Sequence, residues 1–575
     1  MGEILRVDMT TGQIKKEAVP EKYQGLGGRA LTSKVLLEEV DPTCNPLGSR
    51  NKLVIAPGML SGTKAPSSGR ISVGGKSPLT GTIKEANAGG TTAQKLASLG
   101  IYAIIIEGKP ADGKLSVLRI SEQGAELLPG DEFKGKGTYE VSEKLRAKYG
   151  SHIGLMQIGP AGEMLLANAG VANNDPEGNS SRYAGRGGLG AVMGSKGLKA
   201  VVVDTQKALD APVANSEAFG EAAKKFAKIL LDHPVTGQGL PSFGTNVLMN
   251  IINEAGALPT KNFRKGRFDQ ANQISGEKLA EVAVARGGKA THACHHGCVM
   301  RCSNIYPMPN GKVCAPIEYE SAWSLGAHCE IGDLDDVAML NYICNDVGLD
   351  TIEAGGTLGI LMEGGVIPWG DGKAAIKALE EVYTGSALGR IIGNGAVFAA
   401  RAFGVTRVGE VKGQHMPAYD PRGAKGIGVT YATSTMGADH TAGYCITANI
   451  LKVGGYVDPL KKEGQIDLAR NLQIATAAID SSGLCLFVAF AVLDNPDGLP
   501  TIVEMLNAKY GASLTIDDVL ALGQQVLRNE REFNKRAGFT KEADRLPEFF
   551  LDEESDPHKT KFDVTNDELD SLYNF

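Results

Sequence analysis

The first two hundred residues alternate short apolar runs with turn residues. The runs are rich in Val and Ile and are bounded by Gly and Pro, a pattern typical of strands joined by turns. They occupy residues 52–56, 71–75, 102–107, 115–120 and 199–204. Clear helical periodicity interrupts them only near 29–39 and 140–149. The pattern predicts a mainly β domain with few helices, rather than alternating βαβ units.

From about residue 209 the periodicity becomes helical. Amphipathic spacing recurs first in residues 222–231, 276–286, 334–346, 376–381 and 396–403, and later in 465–480, 502–508, 515–528 and 530–537. Asp333 stands where it can cap the helix that follows it. A loop-rich stretch at 416–423 separates the two groups of helices, and the polar, acidic tail 551–575 reads as a surface extension. We therefore expect an α+β fold, with an N-terminal β-rich base domain (1–208) and two mainly α-helical domains (209–415 and 416–575).

Composition removes several classes of function. The net charge is −7, only 6% of the residues are aromatic, and no block of Lys and Arg could bind a phosphate backbone, which argues against nucleic acid. The N-terminus lacks a signal region, and the apolar run 484–493 is too short to cross a bilayer. The nine cysteines are an odd number spread through a long chain, unlike a disulfide framework. The sequence predicts a cytoplasmic protein without a membrane partner, whose reduced thiols are available for metal.

Four loops of the β region contain more Gly, Ser, Thr and Asn than turns require: 65–70, 76–81, 87–90 and 182–190. Such loops present backbone N–H groups and Arg side chains to anions. The last loop loosely matches a dinucleotide fingerprint, but the segment after it reads as a strand and no acidic residue follows at the expected distance. A structural role in turning the chain explains any single loop equally well. Four together favour a phosphate-bearing cofactor.

Three cysteines, Cys294, Cys298 and Cys302, follow one another at four-residue spacing. In a helix the first two would share a face, and a loop or frayed turn would have to bring in the third. Clustered thiols indicate an iron–sulfur cluster or a zinc site, and either needs a fourth ligand from elsewhere. The spacing is not the Cys-x-x-x-Cys-x-x-Cys of radical enzymes that cleave S-adenosylmethionine.

Two later segments resemble each other, 345–350 (NDVGLD) and 480–485 (DSSGLC). Each lies at the end of a predicted helix, where Gly is expected as a left-handed C-cap. Their carboxylates would then face one ligand from two directions. This repetition suggests a ligand with two similar halves.

In combination these features resemble the tungsten-containing aldehyde:ferredoxin oxidoreductase family, from about residue 3 to about residue 550. No single motif is decisive, and the resemblance depends on seven stretches in the correct order. They are 65–70 (APSSGR), 76–82 (KSPLTGT), 158–163 (IGPAGE), 182–190, 318–321 (EYES), 419–423 (YDPRG) and 480–485.

The resemblance implies a tungsten, or molybdenum, atom between two pyranopterins, with a [4Fe–4S] cluster beside one pterin and the helical domains enclosing the cofactor over the β base. It places the cluster on Cys294, Cys298, Cys302 and Cys485, and a Mg ion bridging the pterin phosphates on the backbone carbonyls of Asn87 and Tyr183. Contacts to the pterins are implied at Arg70, Asn87, Gly89, Arg182, Tyr183, Ala184, Gly185, Asn345, Leu349, Asp350, Asp480 and Leu484.

This chain departs from the family pattern at several positions. Thr291 stands where the usual first cysteine belongs, so Cys302 is expected as its substitute. Asn345 replaces a carboxylate, and Ala442 replaces a frequent Lys. The stretch 339–342 (MLNY) lacks the Glu-x-x-His pair that binds an iron between subunits in some members. That site is therefore expected to be absent, which leaves the oligomeric state open.

The family's catalytic positions correspond to Glu320 and His440. Glu320 is expected to accept a proton from water or the hydrated aldehyde, and His440 to hydrogen-bond the carbonyl. The implied reaction oxidises an aldehyde to a carboxylic acid, with ferredoxin or a ferredoxin-like subunit as the electron acceptor. His295 and His296 are expected beside the cluster or at the surface rather than as ligands, whereas the role of His292, beside the position of the lost cysteine, stays open.

Three alternatives remain at this stage. The same cofactors could reduce another low-potential substrate such as an aromatic acyl-CoA. The chain could be an electron-transfer or scaffold subunit of a larger complex, although its intact Arg and Gly loops disfavour that reading. The three thiols could instead hold zinc, which the pterin-type loops and Cys485 disfavour.

Overall fold

The N-terminal region of the computed structural model, which describes residues 2–575, contains two six-stranded sheets. The strands of the first are β1 (Glu3–Asp8), β2 (Gln13–Ala18), β3 (Leu53–Pro57), β4 (Ile71–Lys76), β5 (Ile83–Ala88) and β6 (Ile101–Glu107). Those of the second are β7 (Ser116–Ser121), β8 (Gly124–Pro129), β9 (Gly154–Gln157), β10 (Val171–Asn174), β11 (Ser180–Ala184) and β12 (Leu198–Asp204). Inward side chains of both sheets, such as Leu5, Ile104, Met156 and Val201, form one buried core, so the sheets pack against each other.

The two sheets have the same topology. Their orders are β2-β1-β6-β3-β4-β5 and β8-β7-β12-β9-β10-β11, and the parallel pair β1–β6 of the first corresponds to β7–β12 of the second. The helices follow the repeat, since α1 (Gly28–Glu39) precedes β3 as α3 (Thr138–Tyr149) precedes β9. Likewise α2 (Thr92–Ser98) precedes β6 as α5 (Leu189–Ser195) precedes β12, and only the short α4 (Pro160–Glu163) has no counterpart. The base is therefore two copies of one unit.

All five predicted strands and both predicted helices of this region are confirmed. The expectation of only two clear helices is wrong, because α2, α4 and α5 are short and their apolar residues are too few to show periodicity. The segment after the glycine loop 182–190 is also not a strand at first. Gly188 has φ +75°, and helix α5 begins directly after it, before β12.

The rest of the chain is mainly helical. A first group of helices comprises α6 (Ser216–Asp232), α7 (Leu240–Phe243), α8 (Leu248–Glu254), α9 (Gly276–Ala285), α10 (Tyr319–Leu325), α11 (Leu334–Val347), α12 (Thr351–Glu363), α13 (Gly372–Thr384), α14 (Ala387–Gly393) and α15 (Ala396–Phe403). A second comprises α16 (Lys425–Thr433), α17 (Gln465–Ser482), α18 (Val488–Asp494), α19 (Gly498–Tyr510), α20 (Ile516–Arg536), α21 (Phe549–Asp552) and α22 (Asn566–Asp570). A small sheet of β13 (Lys289–His292), β14 (Ser303–Pro307) and β15 (Val313–Cys314) lies between α9 and α10, and one of β16 (Glu410–Val411) and β17 (Gln414–His415) lies between the two groups.

The helical predictions are confirmed in type but not in every boundary. The predicted pair 515–528 and 530–537 is one continuous helix, α20, whose residues Asn529 and Glu530 are buried. Asp333 caps α11 as predicted, accepting hydrogen bonds from Asp335 N and Asp336 N.

The C-terminal tail is not a surface extension. Phe562, Val564, Leu569 and Leu572 are at most 4% exposed and join the core of the helical region. Their apolar side chains are spaced between acidic residues, and this composition concealed their packing. None of the helices formed by residues 2–575 is both long enough and apolar enough to cross a membrane.

Candidate active site and thiol cluster

Two adjoining cavities lie where the β base meets the helices. Each encloses about 300 Å³, and their shared wall includes Arg70, Tyr183, Glu320 and His440. The first cavity is bounded by Asn87, Gly185, Asn345, Leu349, Asp350 and Asp480, and the second by Gly89, Arg182, Cys294, Cys298, Cys302 and Cys485. The structure thus brings almost every residue that the sequence singled out to one place. Ala184 and Leu484 are buried directly beside these walls.

Each half of the base contacts one of the two Gly–Leu segments. Gly483 follows α17 with φ +83°, and a Cβ atom on Gly58, just after β3, would lie 2.1 Å from its Cα. Gly348 follows α11 with φ +91°, and its N would lie 2.8 Å from a Cβ atom on Gly159, just after β9. The predicted left-handed C-caps are confirmed. Since β3 and β9 are equivalent strands, the two segments occupy equivalent positions.

The substitution at Asn345 is matched by a second change on the base. Arg29, the second residue of α1, donates to Asp480 at 3.2 Å. The equivalent second residue of α3 is Tyr139, whose hydroxyl accepts from Asn345 Nδ2 at 3.4 Å. A charged pair on one side of the site therefore corresponds to a neutral pair on the other. The sequence showed the replacement at Asn345 but not the corresponding change at Tyr139.

Several buried donors in the cavities lack a partner among residues 2–575. They are Arg70 Nε, Arg182 Nε and Nη2, and Asn87 Nδ2. Arg182 has only distant carboxylates, since Asp175 and Glu318 each lie 3.6 Å away. Unsatisfied buried guanidinium groups are costly, and phosphate is the group they bind best. The residues present therefore fit a buried anionic group with phosphates.

The four candidate thiols line the second cavity. Cys294 and Cys298 lie in the loop between β13 and β14, Cys302 lies just before β14, and Cys485 follows α17. The loop is non-helical, so the condition for a shared helical face is not met. Residue Ser67 joins the two thiol segments, because its N–H donates to Gly297 O and its carbonyl accepts from Cys485 N, both at 2.9 Å.

Thr291 does not face the thiols. It is exposed, and its hydroxyl donates to Arg301 O at 3.0 Å. Cys302 is half-buried and lines the cavity with the other three cysteines, whereas Cys44, Cys314, Cys329, Cys344 and Cys445 are buried outside it. Arg70 Nη2 donates to Cys485 Sγ at 3.1 Å and also lines the first cavity, so it links the two cavities.

The three histidines near the thiols have different environments. His292 contacts Asp175 at 2.8 Å, and His296 is exposed. His295 is 1% exposed, and its ligand atom lies within 4.8 Å of those of Cys294 and Cys298. Its Nδ1 is 2.9 Å from His296 O, which leaves Nε2 without a partner in the described part of the chain. His295 therefore lies beside the thiols, which is one of the two positions that the sequence predicted for it.

Glu320 and His440 face each other across the shared wall. Glu320, in the first turn of α10, has Oε1 3.4 Å from His440 Nε2, and its Oε2 accepts from Ala418 N at 3.0 Å. Burial raises the pKa of Glu320 to about 8 and lowers the pKa of His440 to about 4. Catalytic groups often have strongly shifted pKa values and lie in cavities, and both conditions hold for Glu320 and His440.

Five charged residues of the first cavity were missed as site residues: Arg29, Glu85, Arg186, Glu318 and Asp439. Glu85 could have been found, because it precedes Asn87 by two positions on β5 and so lies on the same face of the strand. Arg186 donates to Asp350 at 3.2 Å, and it lies within a loop that the sequence did mark as anion-binding. No motif or spacing in the sequence around Arg29 or Asp439 indicated that either residue belongs to the site.

Comparison with known proteins agrees with this architecture. The N-terminal domain of aldehyde ferredoxin oxidoreductase matches residues 4–205, and domains 2 and 3 of the same family match residues 221–575. Tungsten-containing aldehyde ferredoxin oxidoreductases of Pyrococcus furiosus and Thermococcus kodakarensis are 38% and 36% identical, each over 96% of this chain and 91% of the relative. The active site complex BamBC of benzoyl coenzyme A reductase, solved with 1,5 dienoyl-CoA, has the same fold. Its TM-score is 0.82 at 21% identity, over 100% of this chain and 93% of the other. The chain belongs to the aldehyde ferredoxin oxidoreductase family.

Proposed function

We propose that this protein oxidises aldehydes to carboxylic acids and passes the electrons to ferredoxin or a ferredoxin-like subunit. The observation that carries the proposal is the wall shared by the two cavities. There Glu320 and His440 stand 3.4 Å apart, next to a cavity lined by four thiols. Side chains that could carry out acid–base catalysis therefore lie next to side chains that could bind an electron carrier. The relatives named as tungsten-containing aldehyde ferredoxin oxidoreductases support the same assignment.

The residues that would hold a tungsten, or molybdenum, bis-pyranopterin are those whose polar atoms face the cavities. Arg70 and Arg182 would bind its phosphates, Asp350 and Asp480 would bind one pterin each, and Asn345 would accept or donate in place of a carboxylate. Gly89, Ala184 and Gly185 would admit the ligand close to the backbone, and Leu349 and Leu484 would pack against it. The carbonyls of Asn87 on β5 and Tyr183 on β11, equivalent strands of the two halves, would hold the bridging Mg ion.

A [4Fe–4S] cluster would be bound by Cys294, Cys298, Cys302 and Cys485. Arg70 contacts Cys485 Sγ at 3.1 Å and lines the first cavity, so one side chain would touch both redox groups. The cluster loop reaches the surface at Gly297, which is exposed. An electron acceptor could therefore approach within a few residues of the cluster.

The overall reaction converts RCHO and H₂O into RCOOH, two protons and two electrons. When bound, the tungsten–pterin and cluster supply a two-electron acceptor and a one-electron outlet. Glu320 in its carboxylate form takes a proton from the attacking water or the hydrated aldehyde. His440 donates to the carbonyl oxygen, whose negative charge increases in the transition state. Most of each side chain is buried, and the lower local dielectric strengthens both interactions.

An anaerobic assay with purified holoenzyme tests the proposal. We expect aldehyde-dependent reduction of ferredoxin, with two electrons transferred for each carboxylic acid formed. A chain that binds the cofactors but oxidises no aldehyde, and instead reduces an aromatic acyl-CoA, would refute the assignment in favour of the second reaction. A chain with no activity on either substrate would indicate the electron-transfer or scaffold role.

A further inference from the structure

A second carboxylate lies against His440, on the opposite side of the ring from Glu320. The Oδ1 atom of Asp439 is 3.7 Å from His440 Nδ1, while Glu320 Oε1 is 3.4 Å from Nε2. His440 Nδ1 is buried and has no hydrogen-bond partner among residues 2–575. The imidazole thus stands between two carboxylates, one at each nitrogen.

The charge of Asp439 is maintained by two buried cations. Lys84 is 1% exposed at its side chain, and its Nζ lies 3.6 Å from Asp439 Oδ2. Arg186 donates to Ala438 O at 2.7 Å, just before Asp439, and its field reaches the same carboxylate. Burial alone would raise the pKa of Asp439, but Lys84 and Arg186 outweigh burial and lower it.

The negative charge of Asp439, 3.7 Å from Nδ1, favours the ring proton on that nitrogen, whereas the pKa of Glu320, raised to about 8, leaves its carboxyl group mostly protonated and able to donate to Nε2. We propose that Asp439 is a positioning residue that keeps the His440 proton on Nδ1 and directs Nε2 to Glu320 and the substrate. This inference rests on the proposed function. Once Glu320 has taken a proton from the attacking water or the hydrated aldehyde, it can pass that proton to Nε2, which donates it to the substrate oxygen, and Glu320 returns to the carboxylate. The negative charge of Asp439 stabilises the imidazolium formed in that step, as in other carboxylate–histidine pairs.

A simpler role for Asp439 is the capping of the short turn at 440–442. Its Oδ1 accepts from Thr441 N at 3.0 Å and from Thr441 Oγ1 at 2.7 Å. A cap contributes to stability only. The two roles therefore differ in what they predict for kcat and for the pH profile.

The test compares Asp439→Asn with Asp333→Asn in holoenzyme of verified metal content. Asp333 makes the same kind of cap at α11 but is exposed and outside the cavities. For Asp439→Asn we expect kcat for aldehyde oxidation to fall at least about tenfold, with KM within about twofold of wild type. Asp439→Glu, which retains the charge, should recover part of the loss, and Asp333→Asn should keep wild-type kcat.

The pH dependence of kcat provides a second test of the role of Asp439. The charges that face Glu320 and His440 are Asp439, Arg186 from the loop before α5, and Asp350 from the start of α12. Asp439 raises the pKa of both groups, so the limb of kcat that rises with pH should move to lower pH in Asp439→Asn. Lys84→Gln, which removes the buried cation, should lose activity more steeply at low pH than wild type.

Wild-type kcat and an unmoved limb in Asp439→Asn would overturn the proposal while the proposed function stood. If Asp439→Asn does not fold, an unchanged low-pH profile of Lys84→Gln would overturn it instead. A wild-type holoenzyme that oxidises no aldehyde would overturn the proposed function itself, and this proposal with it.

Discussion

At the scale of single residues, the site depends on groups whose ionisation is displaced by burial. Most of the Glu320 side chain is buried, and with a pKa of about 8 it is mostly protonated at neutral pH. His440, with a pKa of about 4, is mostly neutral. A carboxylate with a raised pKa is a stronger base, but at neutral pH that carboxylate is ionised in a smaller fraction of the enzyme molecules. This balance makes the rate depend on pH.

The sign of that dependence follows from the raised pKa of Glu320. The active form is the carboxylate, so kcat should rise with pH through a limb near pH 8. Glu320→Gln should lower kcat by about 10²- to 10⁴-fold and remove the limb. The measurement is kcat against pH for holoenzymes of equal metal and pterin content. Unchanged turnover in a fully loaded Glu320→Gln protein would remove Glu320 from the mechanism.

At the scale of elements, the thiol cluster is formed by segments distant in sequence. The β13–β14 loop brings Cys294, Cys298 and Cys302, and the end of α17 brings Cys485. Local spacing indicated the first three, and only the family resemblance selected the fourth. The loop conformation was not predictable, because four-residue spacing fits a helix as well as the observed irregular backbone.

Cys302, unlike Thr291, lines the thiol cavity, which supports the proposal that Cys302 is the cluster ligand. Cys302→Ala should lose iron and the electron paramagnetic resonance signal of the reduced cluster. Thr291→Ala should retain about four iron atoms per chain, because its side chain points away from the thiols. Cys344→Ala removes a buried thiol outside the cavity and is the matched control. Full iron content in Cys302→Ala would show that another group completes the site.

The neutral pair Asn345–Tyr139 gives a separate prediction about the Gly–Leu segment 345–350. Asn345→Asp would bury a carboxylate beside Tyr139 without a cation, which should lower the free energy of unfolding by about 3–5 kcal/mol. Adding Tyr139→Arg reproduces the Arg29–Asp480 pair of the other half and should restore part of the loss. The measurement is the thermal unfolding midpoint of the single and double variants.

Asn310→Asp, at an exposed turn, is the control for the same substitution without burial. If Asn345→Asp unfolds at the wild-type temperature, the pairing with Tyr139 is not what maintains this side of the site.

At the scale of the whole molecule, the repeated base explains why one site takes residues from both halves. Runs of apolar residues predicted most strands and long helices, because these elements bury one continuous face. The repeat itself was not visible in the sequence, since β5 (IKEANA) and β11 (SSRYA) share a position but hardly a residue. Arg29 and Asp439 were missed for a related reason. Their importance comes from residues 530 and 84, which are distant in the chain and adjacent only after folding.

If the two cavities hold one paired redox centre, anaerobically purified protein should contain its metals and pterins in fixed proportion. We predict one tungsten or molybdenum atom, two pterins and about four iron atoms per chain. Elemental analysis gives the metals, and fluorescence after oxidation gives the pterins. Zinc as the sole metal, with no pterin fluorescence, would show that the two cavities do not hold this redox centre.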